Sequence, residues 1–413
     1  MGSIGRWLAA VALLFFTTQL KATGGVVKLV SWNLLNWPNT SDLVNDTTTR
    51  CPYYRLVMQE MAPSIVVTME NQSTTSTPWF LQQVLNANGN YYRQGVFIVG
   101  PDSNNGIFFL DSLFSFVSNT PIETALRDIS EFKLVYRPSG DTLRIYAVHL
   151  KASSGTTNEQ LRSAEVDSLR KVTNALPPGT DFIVCGDFNI YGDYEAAYQK
   201  LFQDNVTDDG NFVDPFNITG IWNDPAYSYY HTQSTRSTQV GGGASGGLDD
   251  RFDMILYSTA VSQPGGVYYV PGSCQPFGND GHHFSQSINA GTNTAVSAAV
   301  ANALYWGSDH LPVSAEFEIG INPTVAEQSM GRWITIYPNP ASELINVQLD
   351  VQGVVSVPWE LVGVDGRTVG SGIAIVDDGR FTLPLGKQIS NGFYTLSLKI
   401  DKSLVIKNIS VIR

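Results

Sequence analysis

The feature that most limits how this chain can fold is a succession of short apolar runs, each closing on a polar residue of a chemically useful kind. Phe182 to Cys185 has the length and character of a buried strand, and it ends at Gly186 followed by Asp187 and Asn189. Side chains two positions apart on a strand point the same way. Alternation therefore places Asp187 and Asn189 on one face and Phe188 on the other. A carboxylate beside an amide on a rigid support suits phosphate chemistry: the first can hold a metal ion or orient water, the second can donate to a phosphoryl oxygen. The same residues are common turn formers, so the bare stretch equally reads as a strand-end turn.

The pattern recurs along the chain. Val27 to Asn33 reads as a strand ending in an amide, Ser64 to Glu70 as one ending in a carboxylate, and Leu143 to Leu150 as one with His149 near its end. Further strands are expected at Gly106 to Leu110, Phe132 to Tyr136, Arg251 to Tyr257 and Leu311 to Phe317, the last entered through Ser308-Asp309-His310. Helical spacing marks Tyr53 to Met61, Trp79 to Asn86, Asn158 to Ala175 and Tyr194 to Phe202. Strands interleaved with helices predict a layered α/β unit. Two insertions interrupt it. Ser234 to Gly247 is Ser/Thr/Gly-rich and reads as a mobile surface loop; Pro271 to Ala301 is long, polar and carries His282-His283. Paired histidines in such a loop either bind a metal or substrate or are simply exposed.

At Asn322-Pro323 the character changes. Ile334 to Arg413 shows short alternating segments broken by Pro338-Asn339-Pro340, Asp365-Gly366-Arg367, Asp378-Gly379 and Asn391-Gly392, which predicts a small all-β, immunoglobulin-like sandwich. The expected organisation is a signal peptide over residues 1–22, an α/β unit over 26–320, a linker over 321–333 and the β unit over 334–413. The signal peptide rests on Arg6 followed by the apolar run Trp7 to Phe16, too short for the ~20 residues that span a bilayer; a tethering anchor is the alternative. Either way the chain leaves the cytoplasm, and no stable membrane span is expected. Three cysteines allow at most one intrachain disulfide, expected between Cys51 and Cys274, with Cys185 a buried apolar residue. With 25 Lys and Arg against 37 Asp and Glu, the formal charge of −12 leaves no broad basic face for gripping a polyanion.

The order Ser31-Trp32-Asn33, Met69-Glu70, Val148-His149-Leu150, Gly186-Asp187-Phe188-Asn189, Arg251-Phe252-Asp253 and Ser308-Asp309-His310-Leu311-Pro312-Val313 resembles the endonuclease/exonuclease/phosphatase superfamily over Val26 to Ile319. The resemblance implies a DNase I-like four-layer α/β sandwich, with two facing sheets and the site at one rim. It implies Glu70 as the principal ligand of Mg2+ (or Mn2+), with Asn33 nearby and Asp309 as a neighbouring metal-site carboxylate. Asp187 and Asn189 would position the attacking water and the phosphate, His310 would transfer a proton or contact phosphate, and Asp253 would orient His310. His149 is similar to the second histidine of the deoxyribonuclease and sphingomyelinase branches. Two departures stand beside these matches: Asn105 occupies the place of an acidic residue in deoxyribonuclease, and Thr68-Met69-Glu70 replaces the usual Leu-Gln-Glu. The implied function is an exported metal-dependent phosphodiesterase, an endonuclease acting on extracellular DNA or RNA as a monomer. A sphingomyelinase-like enzyme and a non-catalytic surface binding protein are the alternatives.

The tail carries its own resemblance. Tyr337-Pro338-Asn339-Pro340-Ala341, Asn391-Gly392-Phe393-Tyr394 and the closing stretch from Val405 to Arg413 resemble the C-terminal sorting domain of the type IX secretion system of Bacteroidota. That implies recognition by the secretion machinery at the outer membrane and a secreted or surface-displayed product. An ordinary carbohydrate- or protein-binding sandwich is the alternative.

Overall fold

The apolar runs read from the sequence become strands of two facing sheets. The computed structural model describes residues 24–38, 47–205, 208–320, 334–349, 355–363, 367–376, 379–387, 389–400 and 403–413. The expected signal peptide and linker lie outside these residues. The chain divides into two compact units, Met1–Ile321 and Asn322–Arg413.

The first unit opens with β1 (Gly25–Trp37), α1 (Thr47–Met61), β2 (Ile65–Asn71) and α2 (Ser76–Phe80). Next come β3 (Tyr92–Gln94), β4 (Asn104–Leu110), β5 (Phe114–Ile122), β6 (Ile129–Tyr136) and β7 (Thr142–His149). After α3 (Thr156–Thr173) follow β8 (Phe182–Asp187), α4 (Ala196–Phe202), β9 (Phe212–Val213) and β10 (Asp253–Ser258). The unit closes with β11 (Val267–Tyr269), β12 (Gln275–Pro276), α5 (Ala298–Gly307) and β13 (Val313–Ile319). One sheet runs β11-β13-β1-β2-β4-β3 with β12 also on β13, and the other runs β5-β6-β7-β8-β10-β9.

Alternation along these strands builds three apolar layers. Val27, Leu29, Ile65, Val67, Phe132, Ile145, Ile183, Cys185 and Ile255 face one another between the sheets. The opposite face of the first sheet, through Val30, Trp32 and Val66, packs on Tyr54 and Val57 of α1 and Val300 and Leu304 of α5. The opposite face of the second sheet, through Tyr146, Val148, Val184 and Leu256, packs on Val166 and Leu169 of α3 and Ala197 and Leu201 of α4. Helix, sheet, sheet and helix make four layers, as the motifs implied. Each large apolar side chain removed from water in these layers contributes about 1.5–3 kcal/mol.

Three expectations are corrected here. Cys51 does not bridge Cys274: Cys51, in α1, lies in the outer core and Cys274 in the core between the sheets, so the first sheet separates them. The Pro271 to Ala301 insertion is not a bare loop, because β12 pairs with β13, Ile288 is buried in the outer core and α5 begins at Ala298. Ser234 to Gly247 is not a detached surface loop either, since Ser234, Thr235 and Arg236 are buried.

The second unit contains β14 (Ile334–Tyr337), β15 (Leu344–Leu349), β16 (Val355–Gly363), β17 (Thr368–Val376), β18 (Arg380–Pro384), β19 (Gly392–Ile400) and β20 (Ser403–Val411). They form a three-stranded sheet, β14-β15-β18, and a four-stranded sheet, β17-β16-β19-β20. Ile345, Val347 and Leu349 recur every second residue in β15 and meet Val357, Leu361, Leu396 and Leu398 in one core. The expected all-β sandwich is present.

Candidate active site

Strand alternation brings most of the chemistry to one rim. Val27 and Leu29 face the inter-sheet core, so Asn33 continues that face of β1. By the same parity Ile145 and Ala147 lead to His149, Ile183 and Cys185 to Asp187, and Ile255 and Tyr257 to Asp253. Register completes the convergence. His149 lies opposite Asp187 in the parallel β7–β8 pair, and Asp253 lies opposite Asp187 in the antiparallel β8–β10 pair.

Glu70 breaks this rule. Its parity is that of Val66, which faces the outer core, yet its backbone sits in the left-handed region at φ 61° within an irregularity of the β2–β4 ladder between Thr68 and Asn71. A side-chain-bearing residue held there is strained, and such strain persists only where the surroundings fix it. Here the carboxylate is fixed on both oxygens. Oε2 accepts from the Asn36 N–H at 2.6 Å and Oε1 from Asn33 Nδ2 at 3.0 Å. The same Asn33 amide donates to Asp187 Oδ2 at 3.1 Å, while its Oδ1 accepts from the Leu35 N–H at 3.0 Å. Asn33 is thus a strut between two carboxylates. Burial, reinforced by Asp309, holds Glu70 above the usual carboxylate range, and burial pushes Asp187 up to about 7.

His310 is held from two sides. Its Nδ1 lies 2.7 Å from Asp253 Oδ2, and its Nε2 lies 3.7 Å from Asp187 Oδ2 and touches the Gln233 side-chain amide. Burial alone would lower its pKa, but Asp253 and Asp187 outweigh burial and hold the imidazole well above its ordinary value. Trp32 Nε1 donates to the His310 carbonyl at 2.9 Å, and Ser308 Oγ donates to the Asn33 carbonyl at 2.7 Å. These two bonds lock the end of β1 to the entrance of β13.

His149 has the opposite electrostatics. Its Nε2 stands 3.5 Å from Asp187 Oδ2 and 3.9 Å from Glu70 Oε1, but burial, with help from Arg127 and His310, drives its pKa well below the ordinary value. Its Nδ1 is buried with no hydrogen-bond partner among the described residues. Asn105 gives its Nδ2 to the Ala147 and Asp128 carbonyls at 3.0 and 3.2 Å.

A cavity of about 200 Å³ opens at this rim and is lined by Glu70, His149, Asp187, Asn189, Asp309 and His310, with Asn33 and Asp253 bonded behind the wall. A cavity of about 960 Å³ beside α4 is larger, but none of the expected residues lines it. Asn189 lies past the end of β8 with φ 50°, so it turns instead of continuing the pleat. Its N–H donates to Asp187 Oδ1 at 3.0 Å and its Nδ2 to the Leu150 carbonyl at 3.1 Å. Asp309 Oδ2 accepts the Ala244 N–H at 2.6 Å. The His282-His283 pair does not reach this cavity. His283 is buried between Asp280 Oδ1, 2.8 Å from its Nδ1, and the Ala290 carbonyl, 2.9 Å from its Nε2.

Among the described residues no three His, Cys, Asp or Glu side chains converge as a metal cage. The oxygen donors suit a hard divalent cation of the Mg2+ type, which takes one or two carboxylates and keeps several waters. Glu70 in β2 and Asp309 just ahead of β13 both offer such oxygens to the cavity, and a cation held by them would relieve the repulsion that helps raise Glu70.

Sequence reasoning passed over Arg127 and Gln233, which also line the cavity. Arg127 Nη1 donates to the His149 and Leu150 carbonyls at 3.3 and 3.1 Å, and its Nε pairs with Asp102 at 3.0 Å. It sits in a turn between strands with no pattern to mark it. Gln233 borders the Ser/Thr/Gly-rich insertion that reads as mobile.

Residues 335–412 match the family model described as "Secretion system C-terminal sorting domain". No curated protein matches the chain. Among solved structures it is similar to the human Nocturnin catalytic domain with bound sulfate, at 19% identity and TM-score 0.45, covering 71% of this chain and 94% of that one. It is also similar to an endonuclease/exonuclease/phosphatase family protein from Bacteroides thetaiotaomicron, at 15% identity and TM-score 0.46, covering 72% and 99%. A third, the endonuclease/exonuclease/phosphatase from Beutenbergia cavernae, gives 16% identity and TM-score 0.43, covering 93% and 99%. The observed layers and strand order make the first unit a four-layer α/β sandwich with two facing sheets, and residues 335–412 of the second unit match a secretion system C-terminal sorting domain.

Proposed function

We propose that this protein is an exported, metal-dependent phosphoric ester hydrolase that cleaves phosphodiesters, with extracellular nucleic acid as its substrate. The observation that carries the reading is one cavity in which His310, backed by Asp253, meets the carboxyl groups of Asp187, Glu70 and Asp309 and the ring of His149. Asp187 has a pKa near neutrality, the range in which a carboxylate can accept a proton from an attacking water. The Asn189 N–H and the Asn33 amide hold that carboxylate in place. His310, its Nδ1 committed to Asp253, presents Nε2 to the cavity, where it can contact a phosphoryl oxygen or pass a proton to the departing one. His149, its pKa held below the ordinary value by burial, adds a ring nitrogen, and Arg127 adds positive charge at the wall. Glu70 and Asp309 would hold Mg2+ or Mn2+, with Asn33 orienting Glu70. The bound cation would neutralise charge developing on the phosphoryl oxygens.

The sorting domain supports export through type IX machinery to the cell surface or the medium. The charge of −12 favours a second reading, a sphingomyelinase-like enzyme acting on a phosphodiester head group, because such a substrate needs no extended basic groove. Purified protein assayed side by side on DNA, RNA, sphingomyelin and inositol phosphates distinguishes the two. Magnesium-dependent cleavage of nucleic acid, abolished by chelator, is the expected result; an enzyme that turns over only sphingomyelin supports the second reading, and one that hydrolyses none of the four contradicts both.

A further inference from the structure

The Ser234–Gly247 insertion is built into the wall of the cavity. Its ends close on each other: the Ser234 N–H donates to the Gly247 carbonyl at 2.7 Å, and the Gly247 N–H donates to the Arg236 carbonyl at 2.9 Å. Arg236, fully buried, holds the hairpin from inside by donating to the Val240 carbonyl at 3.0 Å and to the Tyr305 carbonyl at 2.7 Å. At the tip the Ala244 N–H reaches Asp309, and Gly242 faces the cavity. A Cβ at Gly243 would press on Leu35, Arg236 and Asp309 at 3.0, 3.1 and 3.2 Å, so the backbone is seated against the site as closely as a glycine permits.

The remaining walls face this hairpin. Asn36 and Gln72 stand on the side of β1 and β2, and the paired Asp102 and Arg127 on another. Arg127 is the one Lys or Arg that lines the cavity among the described residues, and Asp102 already engages it at 3.0 Å. A phosphate inside a continuous duplex needs room for chain in both directions and cations for the neighbouring phosphates. The cavity holds about 200 Å³, and its own lining offers neighbouring phosphates the single guanidinium of Arg127.

Resting on the phosphoesterase reading above, we propose that the Ser234–Gly247 hairpin determines specificity by admitting phosphate esters presented end-on, as small diesters or strand ends, and excluding phosphates in the interior of a duplex. Gly242 offers a clean probe, because a Cβ there meets nothing within 4 Å and its φ lies outside the left-handed region. Gly242→Trp narrows the mouth without backbone strain, whereas replacing residues 238–246 by two glycines widens it. Both variants and the wild type, with thermal melting as the folding control, are assayed at one magnesium concentration. The substrates are bis(4-nitrophenyl) phosphate, a single-stranded oligonucleotide and covalently closed circular duplex.

The wild type is expected to show kcat/KM about tenfold or more lower on the closed circle than on the other two substrates. Gly242→Trp is expected to lower the oligonucleotide value about tenfold and the small diester value less than about threefold, and the shortened hairpin to raise the circle-to-diester ratio about tenfold. A wild type that cuts the closed circle as readily as the oligonucleotide, or variants that fold but leave the ratios unchanged, overturns the role of the hairpin alone. A wild type inert on all three substrates removes the phosphoesterase reading, and the inference falls with it.

Discussion

Glu70 shows how far single residues can be read before a fold is known. The pattern of strand-end polar residues picks it out, but alternation alone would aim it at the outer core, and only the left-handed backbone turns it into the rim. No feature of Met69-Glu70-Asn71 announces that turn. Asn33, Asp187, Asp253 and His149 were legible because each shares a strand face with apolar residues at alternate positions, Val27 and Leu29, Ile183 and Cys185, Ile255 and Tyr257, and Ile145 and Ala147 respectively. The roles of Arg127 and Gln233 depend on contacts across 22 and 77 positions of chain, which no local pattern encodes. The Asn33 strut carries the residue-scale prediction. Asn33→Ala removes one donor from both Glu70 and Asp187, and loss of such an outer partner typically costs about 10–100-fold in metal affinity or activity. Magnesium calorimetry and kcat/KM on a small diester check it; two unchanged values would contradict the strut.

Among the elements, those with clean periodicity were found and those without it were not. α3 occupies Thr156–Thr173 against an expectation of Asn158 to Ala175, because its buried residues recur at helical spacing. β5 escaped because Phe114–Ile122 mixes polar residues on a half-exposed strand, and α5 because a short Ala-rich segment lies at the end of a long polar stretch. The polar insertion around His283 is ordered by Asp280. Burial alone would raise the Asp280 pKa, but the backbone N–H groups of Thr294 and His282 and the His283 ring bring it down to about 2. The folded value lies below the ~3.9 of an unfolded aspartate, so the contribution to stability is complete above about pH 4 and is lost as pH falls toward the folded value. Asp280→Asn is therefore expected to lower Tm at pH 7, with the gap to wild type closing between about pH 4 and about pH 2. A gap that stays constant over that range would contradict the assignment.

At the scale of the whole molecule the change of composition at Asn322-Pro323 coincides with the division into two units, Met1–Ile321 and Asn322–Arg413. Every residue of the candidate site lies in the first, and the residues that match the sorting domain lie in the second. Removing residues 322–413 is expected to leave kcat/KM within about twofold of the full chain, because each unit has its own core. A loss of activity well beyond that in a truncated protein that still melts cooperatively would show that the second unit contributes to the site.

The convergence of Glu70 and His310 on one cavity from distant parts of the chain is tested most directly by a double-variant cycle on magnesium-dependent hydrolysis of bis(4-nitrophenyl) phosphate. His310→Ala alone is expected to cost about 10²–10⁴-fold in kcat/KM, the usual worth of a proton-transferring group. Groups that act as one unit do not multiply their losses, so adding Glu70→Gln to His310→Ala should cost far less than Glu70→Gln costs in the wild type. Losses that multiply in full, or a His310→Ala enzyme as fast as wild type, would contradict a single shared site.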